Sequence, residues 1–285
     1  MFCGQRVIKH GKHGICVHQD VAIDDLTESL VPKGVPDDAP LTPEFHTEYR
    51  SILGKLNWLQ GRTQFHISYA FSRLASASSK PTIKDLKELN KTVRLVKTRP
   101  QRLYYWPLTG ALRILAYPDA SYRNNSDCSS QRGQCIFLAE PRSTNKSTRG
   151  SLVDYESHKI KRTVLSTTVA ELYAFMKTFG SAQFYRGLWM DLTSATAEIH
   201  MRTDANNLVT TASTTHLPEQ KETIHMIQMM RQEACSGSMD DLAHVVTKDM
   251  MADPLTKSSA PPDALIQAVT TGNIPGSDCN PLFRK

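Results

Sequence analysis

Leu165-Ser166-Thr167-Thr168-Val169-Ala170-Glu171-Leu172 places a single carboxylate, Glu171, among small hydroxyl residues at a helix start. Ser and Thr suit that place because their oxygens accept hydrogen bonds from the free N–H groups of a first turn. Leu172, Phe175, Phe179 and Ala182 then recur at spacings of three and four, which predicts one buried helical face. Glu171 lies beside that face and so points towards the body of a domain. A bare carboxylate there is costly without a cation or hydrogen-bond partners.

Three other stretches supply a reason for it. Leu112-Arg-Ile-Leu-Ala-Tyr-Pro-Asp119 is an apolar, strand-like run that ends on an acid. Glu198-Ile-His-Met-Arg-Thr-Asp204 is another. Asp253 follows a short apolar run near the end, in Met251-Ala-Asp-Pro-Leu-Thr-Lys257. Acids at the ends of strands and at a helix start gather at one edge of a sheet. Four carboxylates at one point repel each other unless divalent cations lie between them. Taken singly, each has a plainer reading: Asp253 before Pro254 as a helix cap, Asp204 before Asn206-Asn207 as a turn residue, Glu171 as a first-turn acid.

The order of elements around these acids is α+β. Leu103–Trp106, Ala111–Tyr117, Cys135–Leu138 and Leu152–Tyr155 read as strands, and the long helix follows. Then come a strand over Glu198–Thr203, helices near 206–214 and 219–235, a strand over Ala243–Val246 and a further helix. That pattern predicts a mixed sheet flanked by helices.

The front of the chain differs in kind. Residues 1–110 hold 16 Lys/Arg against 10 Asp/Glu, while the remainder is balanced, so the net charge of +6 lies in the front part. Such a bias suits an anionic partner such as nucleic acid. Residues 1–20 read as a hairpin turning at His10–Gly14. His10, His13, Cys16 and His18 crowd that turn without the paired spacing of a structural zinc site. Asp24 and Asp25, in a stretch that reads as a helix start, are taken as helix or cap acids. Residues 31–44, with Pro32, Pro36, Pro40 and Pro43, read as a linker. Helices are expected over 48–59, 65–76 and from Pro81 onward. In the last, Leu86, Leu89, Val93 and Val96 line one face and Lys84, Lys87, Lys91 and Arg94 another, a cationic stripe fit for phosphates or simply a solvated face.

The six cysteines are scattered, with no CxxC pair, as in reduced intracellular proteins. No run is apolar for long enough to span a bilayer, and no signal peptide opens the chain, so no membrane partner is expected.

Several motifs in one order carry a resemblance: Tyr117-Pro-Asp-Ala-Ser121, Ser129-Ser-Gln-Arg-Gly133, Leu165–Leu172, Thr203-Asp-Ala-Asn-Asn207 and Met251–Lys257. Together they resemble the ribonuclease H region of copia-type LTR retrotransposon Pol polyproteins. Tyr49–Leu56 and the basic helix after it resemble the C-terminal part of the reverse transcriptase that precedes it there. The resemblance covers roughly residues 1–258. It implies a ribonuclease H-like mixed sheet flanked by helices, preceded by a mainly helical thumb- or connection-like segment. It implies catalytic, metal-binding roles for Asp119, Glu171, Asp204 and Asp253 with two Mg²⁺ ions (Mn²⁺ as a substitute), and hydrolysis of the RNA strand of RNA–DNA hybrids. Arg132, Lys161, Arg162, Asn206 and Asn207 are the accompanying nucleic-acid-binding candidates, with Lys84, Lys87, Lys91 and Arg94 on the basic helix. The polymerase palm and fingers become expected partners, and the location intracellular, cytoplasmic in a virus-like particle or nuclear.

The expected division is 1–30, a hairpin and helix from the edge of a palm; 31–44, linker; 45–107, the helical segment; 108–258, the ribonuclease H-like domain; and 259–285, a loose tail. The sequence departs from the family pattern in three places. Pro118 precedes Asp119 and demands a strand end or bulge. The loop Thr247-Lys248-Asp249 lacks the His that many related nucleases carry. The paired-Asp polymerase hairpin is absent, so no polymerase activity is expected. The competing function is a non-catalytic nucleic-acid-binding remnant that retains the fold.

Overall fold

A computed structural model describes residues 4–141, 147–214 and 221–276. The chain divides between Leu103 and Tyr104 into two compact units.

The first unit opens with a hairpin of β1 (Arg6–His10) and β2 (Gly14–His18), in register as Val7↔Val17 and Ile8↔Cys16. A short α1 (Asp20–Asp24) follows, then α2 (Pro43–Gln60), α3 (Ser68–Ala77) and α4 (Ile83–Thr98). Apolar residues at helical spacing close one core: Ile23 and Leu26 pack with Tyr49, Ile52, Leu56 and Leu59 of α2 and with Leu86, Leu89, Val93 and Val96 of α4. The Tyr49 hydroxyl donates to the Leu74 carbonyl at 2.8 Å, satisfying a polar atom inside that core. The expected separation of residues 1–30 from the helical segment is therefore not present, because residues 23 and 26 belong to its core. The 31–44 stretch is likewise held to it, by the bridge Pro40↔Thr82 and the bond from Ile83 N to Ala39 O at 3.0 Å. Asp24 is a helix residue and Asp25 the C-cap of α1, while α4 starts at Ile83 rather than at Pro81, with Thr82 as its cap in a capping box with Asp85.

A strand, β3 (Leu103–Tyr105), leads into the second unit. That unit is built from β4 (Arg113–Ser121), β5 (Gln131–Ala139), β6 (Ser147–Lys159), α5 (Thr167–Thr193), β7 (Glu198–Thr203), α6 (Asn206–Ser213), α7 (Lys221–Cys235), β8 (Asp241–His244), α8 (Asp263–Thr271) and β9 (Asn273–Pro275). The sheet order is β8-β7-β4-β5-β6-β9. β4, β5, β6 and β9 run antiparallel in succession; β7 joins β4 in parallel and β8 joins β7 in parallel. This is the ribonuclease H-like α+β fold expected from the sequence.

Helix α5 lies across one face. Leu172, Phe175, Phe179 and Ala182, the predicted stripe, pack on Ile114, Ala116, Ile136, Ile199 and Met201. Its start is where the hydroxyl run placed it: the Ser166 side chain accepts from Val169 N at 3.3 Å. Ser166→Ala is expected to lower stability by about 1 kcal/mol, read from a denaturant midpoint.

Residues that alternate with the α5-facing ones, among them Leu115, Tyr117, Cys135 and Phe137, face the other side. The segment from Met250 onward lies on that side, where the Gly133 Cα closely approaches Leu255 and Thr256. Here the expectation of a loose tail from residue 259 is corrected. Leu265, Ala268, Val269 and Ile274 are buried, α8 is a formed helix, and β9 extends the sheet by pairing Ile274 with Thr148. Apolar residues at 265, 268 and 269 have the helical spacing that makes this possible. Residues 277–285 of the expected tail, and Glu219–Gln220 of the expected sixth-to-seventh helix stretch, lie outside the described residues.

Pro118 does not break β4. It keeps its register opposite Gln134, with no bulge in that pair. The parallel ladder to β7 covers only Arg113–Ala116, so Pro118 lies past its end and the missing N–H interrupts no bond there.

Among the described residues, no helix is long and apolar enough to cross a membrane.

Candidate metal centre

Asp119 lies two residues before the end of β4, Asp204 directly after β7, and Asp253 in the turn that follows β8. One carboxylate oxygen from each lies within 4.8 Å of those of the other two. Residues as far apart as 119 and 253 therefore lie at one point, where the expectation was for four acids together. Glu171 stands outside that group of three. It comes from α5, on the opposite side of the sheet from Asp253, and interacts electrostatically with Asp119 and Asp204. Its carboxylate accepts from the Ala120 backbone, while its Oε2 is buried with no hydrogen-bond partner.

The setting of Asp253 differs from expectation. It is not a helix cap: it is the first residue of a one-turn 3-10 helix, Asp253–Leu255, and makes no cap bond. Strand side chains hold that turn instead. Ser121 Oγ donates to Thr256 O at 2.8 Å, Ser157 Oγ to Leu255 O at 2.5 Å, and Cys135 Sγ to Met251 O at 3.5 Å. Gly133, directly opposite Asp119 in the sheet, lets the turn approach. A Cβ there would stand 2.8 Å from Thr256 Cγ2 and 2.9 Å from Leu255 Cβ.

Two residues of this centre went unassigned in the sequence reading. Thr256 is fully buried and its hydroxyl donates to Asp119 Oδ2. Lys257 brings its ammonium to 2.7 Å from Asp253 Oδ1. The signal was available: Asp253 and Lys257 are spaced four apart within a motif already singled out.

Burial and mutual repulsion raise the acids. Burial pushes Asp119 up from 3.8 to about 7; Asp253 and Asp204 add to this, while Lys257 and the Thr256 hydroxyl oppose it. Burial, then the charges of Asp119 and Asp204, lift Glu171 well above the carboxylate range. Burial and Asp253 raise Asp204, partly offset by Lys257 and the Thr247 hydroxyl. A folded-state value above the unfolded one means the folded protein holds a proton that the unfolded chain has released. Stability of the metal-free protein is therefore expected to fall as pH rises from about 4 to about 7 through this cluster. Thermal melts in chelator at pH 5, 6, 7 and 8 measure it, and Asp119→Asn should flatten the slope.

A cluster of oxygen donors with an orphaned buried carboxylate oxygen fits a hard divalent cation such as Mg²⁺ or Mn²⁺. No second group of His, Cys, Asp or Glu with metal-ligating geometry occurs among the described residues. His18, one of the four residues weighed for zinc, instead pairs with Asp20 at 2.9 Å.

The remaining candidates divide by unit. In the second unit Arg132, Lys161 and Arg162 lie at the same sheet end as Asp119: Arg132 is opposite Ala120, and the other two follow β6 directly. Lys161 and Arg162 are exposed, whereas Arg132 is paired with Glu156 at 3.0 Å. Asn206 and Asn207 are exposed at the start of α6, two and three residues after Asp204. In the first unit the basic stripe is largely paired within its own fold: Lys87 with Asp37 at 2.6 Å, Lys91 with Glu88 at 3.7 Å and Arg94 with Glu28 at 2.5 Å. Lys84 is exposed beside them. The uniformly open cationic face expected from the helix pattern is thus partly neutralised, although exposed pairs of this kind are weak enough to exchange partners.

The strand order is that of the expected ribonuclease H-like fold, with carboxylates gathered at the sheet edge. In sequence, the chain is similar to retrotransposon Pol polyproteins. The chain is 26% identical over 214 residues to the retrovirus-related Pol polyprotein from transposon RE1 of Arabidopsis thaliana, a match covering 74% of this chain. It is 25% identical over 214 residues to that from transposon RE2 of the same plant. The match spans 14% of the length of each of these relatives. Among solved structures, LC11-RNase H1 in complex with an RNA/DNA hybrid is 17% identical, with a TM-score of 0.38, covering 54% of this chain and 99% of that one. No family model matches the sequence.

Proposed function

We propose that the second unit is a Mg²⁺-dependent endonuclease that hydrolyses the RNA strand of RNA–DNA hybrids. The observation that carries this reading is the convergence of Asp119, Asp204 and Asp253 within 4.8 Å, with the orphaned Oε2 of Glu171 beside them. Asp119, Glu171, Asp204 and Asp253 would hold two divalent ions, which supply an activated water and neutralise charge on the leaving oxygen. The chain's own residues set the conditions. Asp119 and Glu171 must be ionised to ligate, so cation affinity rises with pH through about 7, where Asp119 gives up its proton. The Thr256 hydroxyl fixes the orientation of Asp119.

Asn206 and Asn207 offer donors to the minor-groove edge of a hybrid, where 2′-hydroxyls distinguish RNA from DNA. Lys161 and Arg162 meet the backbone, and Arg132 joins them by exchanging Glu156 for a phosphate. Lys84, Lys87, Lys91 and Arg94 of the first unit form a separate candidate surface for nucleic-acid phosphates. The polymerase palm and fingers of a longer polyprotein are the proposed protein partners, and an intracellular site of action accompanies them.

A hybrid cleavage assay with Mg²⁺ tests the reading, wild type beside Asp204→Asn. The expected result is metal-dependent cutting of the RNA strand only, lowered by at least about 10²-fold in the variant, since removing one ligand weakens a charge clamp worth several kcal/mol. Hybrid binding without cutting by the wild type would instead assign the fold to a non-catalytic nucleic-acid-binding remnant.

A further inference from the structure

We propose that Lys257 is a resident counter-ion of the carboxylate centre: its ammonium holds Asp253 and its neighbours together in the metal-free protein and is displaced when a divalent cation binds. The inference rests on the metal-centre reading above. Lys257 lies four residues after Asp253 and one after Thr256, which is itself bonded to Asp119. The short Asp253–Leu255 turn and the two residues after it thus bring a carboxylate, an orienting hydroxyl and a cation together within five residues. The ammonium is 2.7 Å from Asp253 Oδ1, and the lysine side chain is 30% exposed against 13% for the aspartate. It acts on Asp119, Asp204 and Glu171 as well, opposing the upward shift of each.

One half-buried positive charge among four acids has a definite consequence. Without it, acids that converge from both sides of the sheet repel each other, and the turn carrying Asp253 is pushed from the strand. With it, an incoming divalent cation must compete for the Asp253 oxygen. The long lysine stem allows the exchange, because its end is partly open to solvent and can withdraw without moving the turn. The released ammonium is then available to a phosphate oxygen of the substrate.

Calorimetric titration of Mg²⁺ into metal-free wild type, Lys257→Met and Lys257→Arg tests this without measuring cleavage. Met keeps the stem and removes the charge. The expected result is about tenfold tighter Mg²⁺ binding by Lys257→Met, no gain for Lys257→Arg, and a melting temperature in chelator that falls for Lys257→Met and recovers when Mg²⁺ is added. Unchanged or weaker Mg²⁺ binding by a folded Lys257→Met overturns the inference and leaves the metal centre standing. Absence of binding by every variant, wild type included, overturns the metal centre and with it this inference. Should Lys257→Met fail to fold in chelator, Lys257→Gln in the same titration decides between the same two outcomes.

Discussion

Asp119→Asn is expected to lower hybrid cleavage at saturating Mg²⁺ by at least about 10³-fold and, in chelator at pH 8, to raise the melting temperature. The two effects have opposite sign because one side chain serves two ends. In the proposed ligand role, Asp119 brings a charge to the point where oxygens of Asp204 and Asp253 lie within 4.8 Å of its own. Losing it forfeits roughly 4 kcal/mol of charge stabilisation, about 10³-fold in rate. As a buried carboxylate, the same group is penalised by burial and by its neighbours, which is why its pKa stands at about 7. Asn keeps the shape, and its Oδ1 can still accept from the Thr256 hydroxyl, so the local geometry survives while the repulsion disappears. Cleavage rates beside melts in chelator read both arms. Cleavage within tenfold of wild type would remove Asp119 from the reaction.

Gly133→Ala is expected to cost about 1–3 kcal/mol of stability and to reduce cleavage by at least about tenfold, through a residue that touches no ligand oxygen. The added methyl would stand 2.8 Å from Thr256 Cγ2, 2.9 Å from Leu255 Cβ and 3.2 Å from Ala252 O. The first two belong to side chains set against the strand, and the third is backbone. The turn must therefore move, and it is pinned on either side by Ser121 and Ser157. Moving it draws Asp253 from the cluster, and small misplacements of reacting groups are costly in rate. Denaturant unfolding and the cleavage assay measure the two effects. A variant as stable as wild type would show that the turn does not depend on this close approach.

Much of the second unit was legible in local pattern. The hydroxyl run before Glu171 made a helix start, and the apolar spacing after it made the face that packs on the sheet. The strand over Glu198–Thr203 has its expected bounds, because a short apolar run between polar turns leaves little choice. The first unit showed the limits of the same method. Its basic helix was correctly amphipathic, yet Asp37 and Glu28, 50 and 66 residues from their partners, take up two of its cations. Nothing in a helical period announces an acid that arrives from a distant loop. Residues 263–275 were missed for a related reason: a short segment rich in small residues resembles a tail until a sheet edge and a sheet face accept it.

The sequence by itself determined the α+β order of elements, the helix that presents Glu171 and the four acids worth watching, since these follow from local capping, period and residue chemistry. Only the tertiary structure decided that three of those acids meet, that a pinned 3-10 turn rather than a helix cap delivers Asp253, and that Lys257 stands among them. Those outcomes depend on contacts between residues more than a hundred positions apart, made possible by a glycine opposite Asp119 and by strand hydroxyls that hold the turn. Spacing along a chain carries no record of such distances.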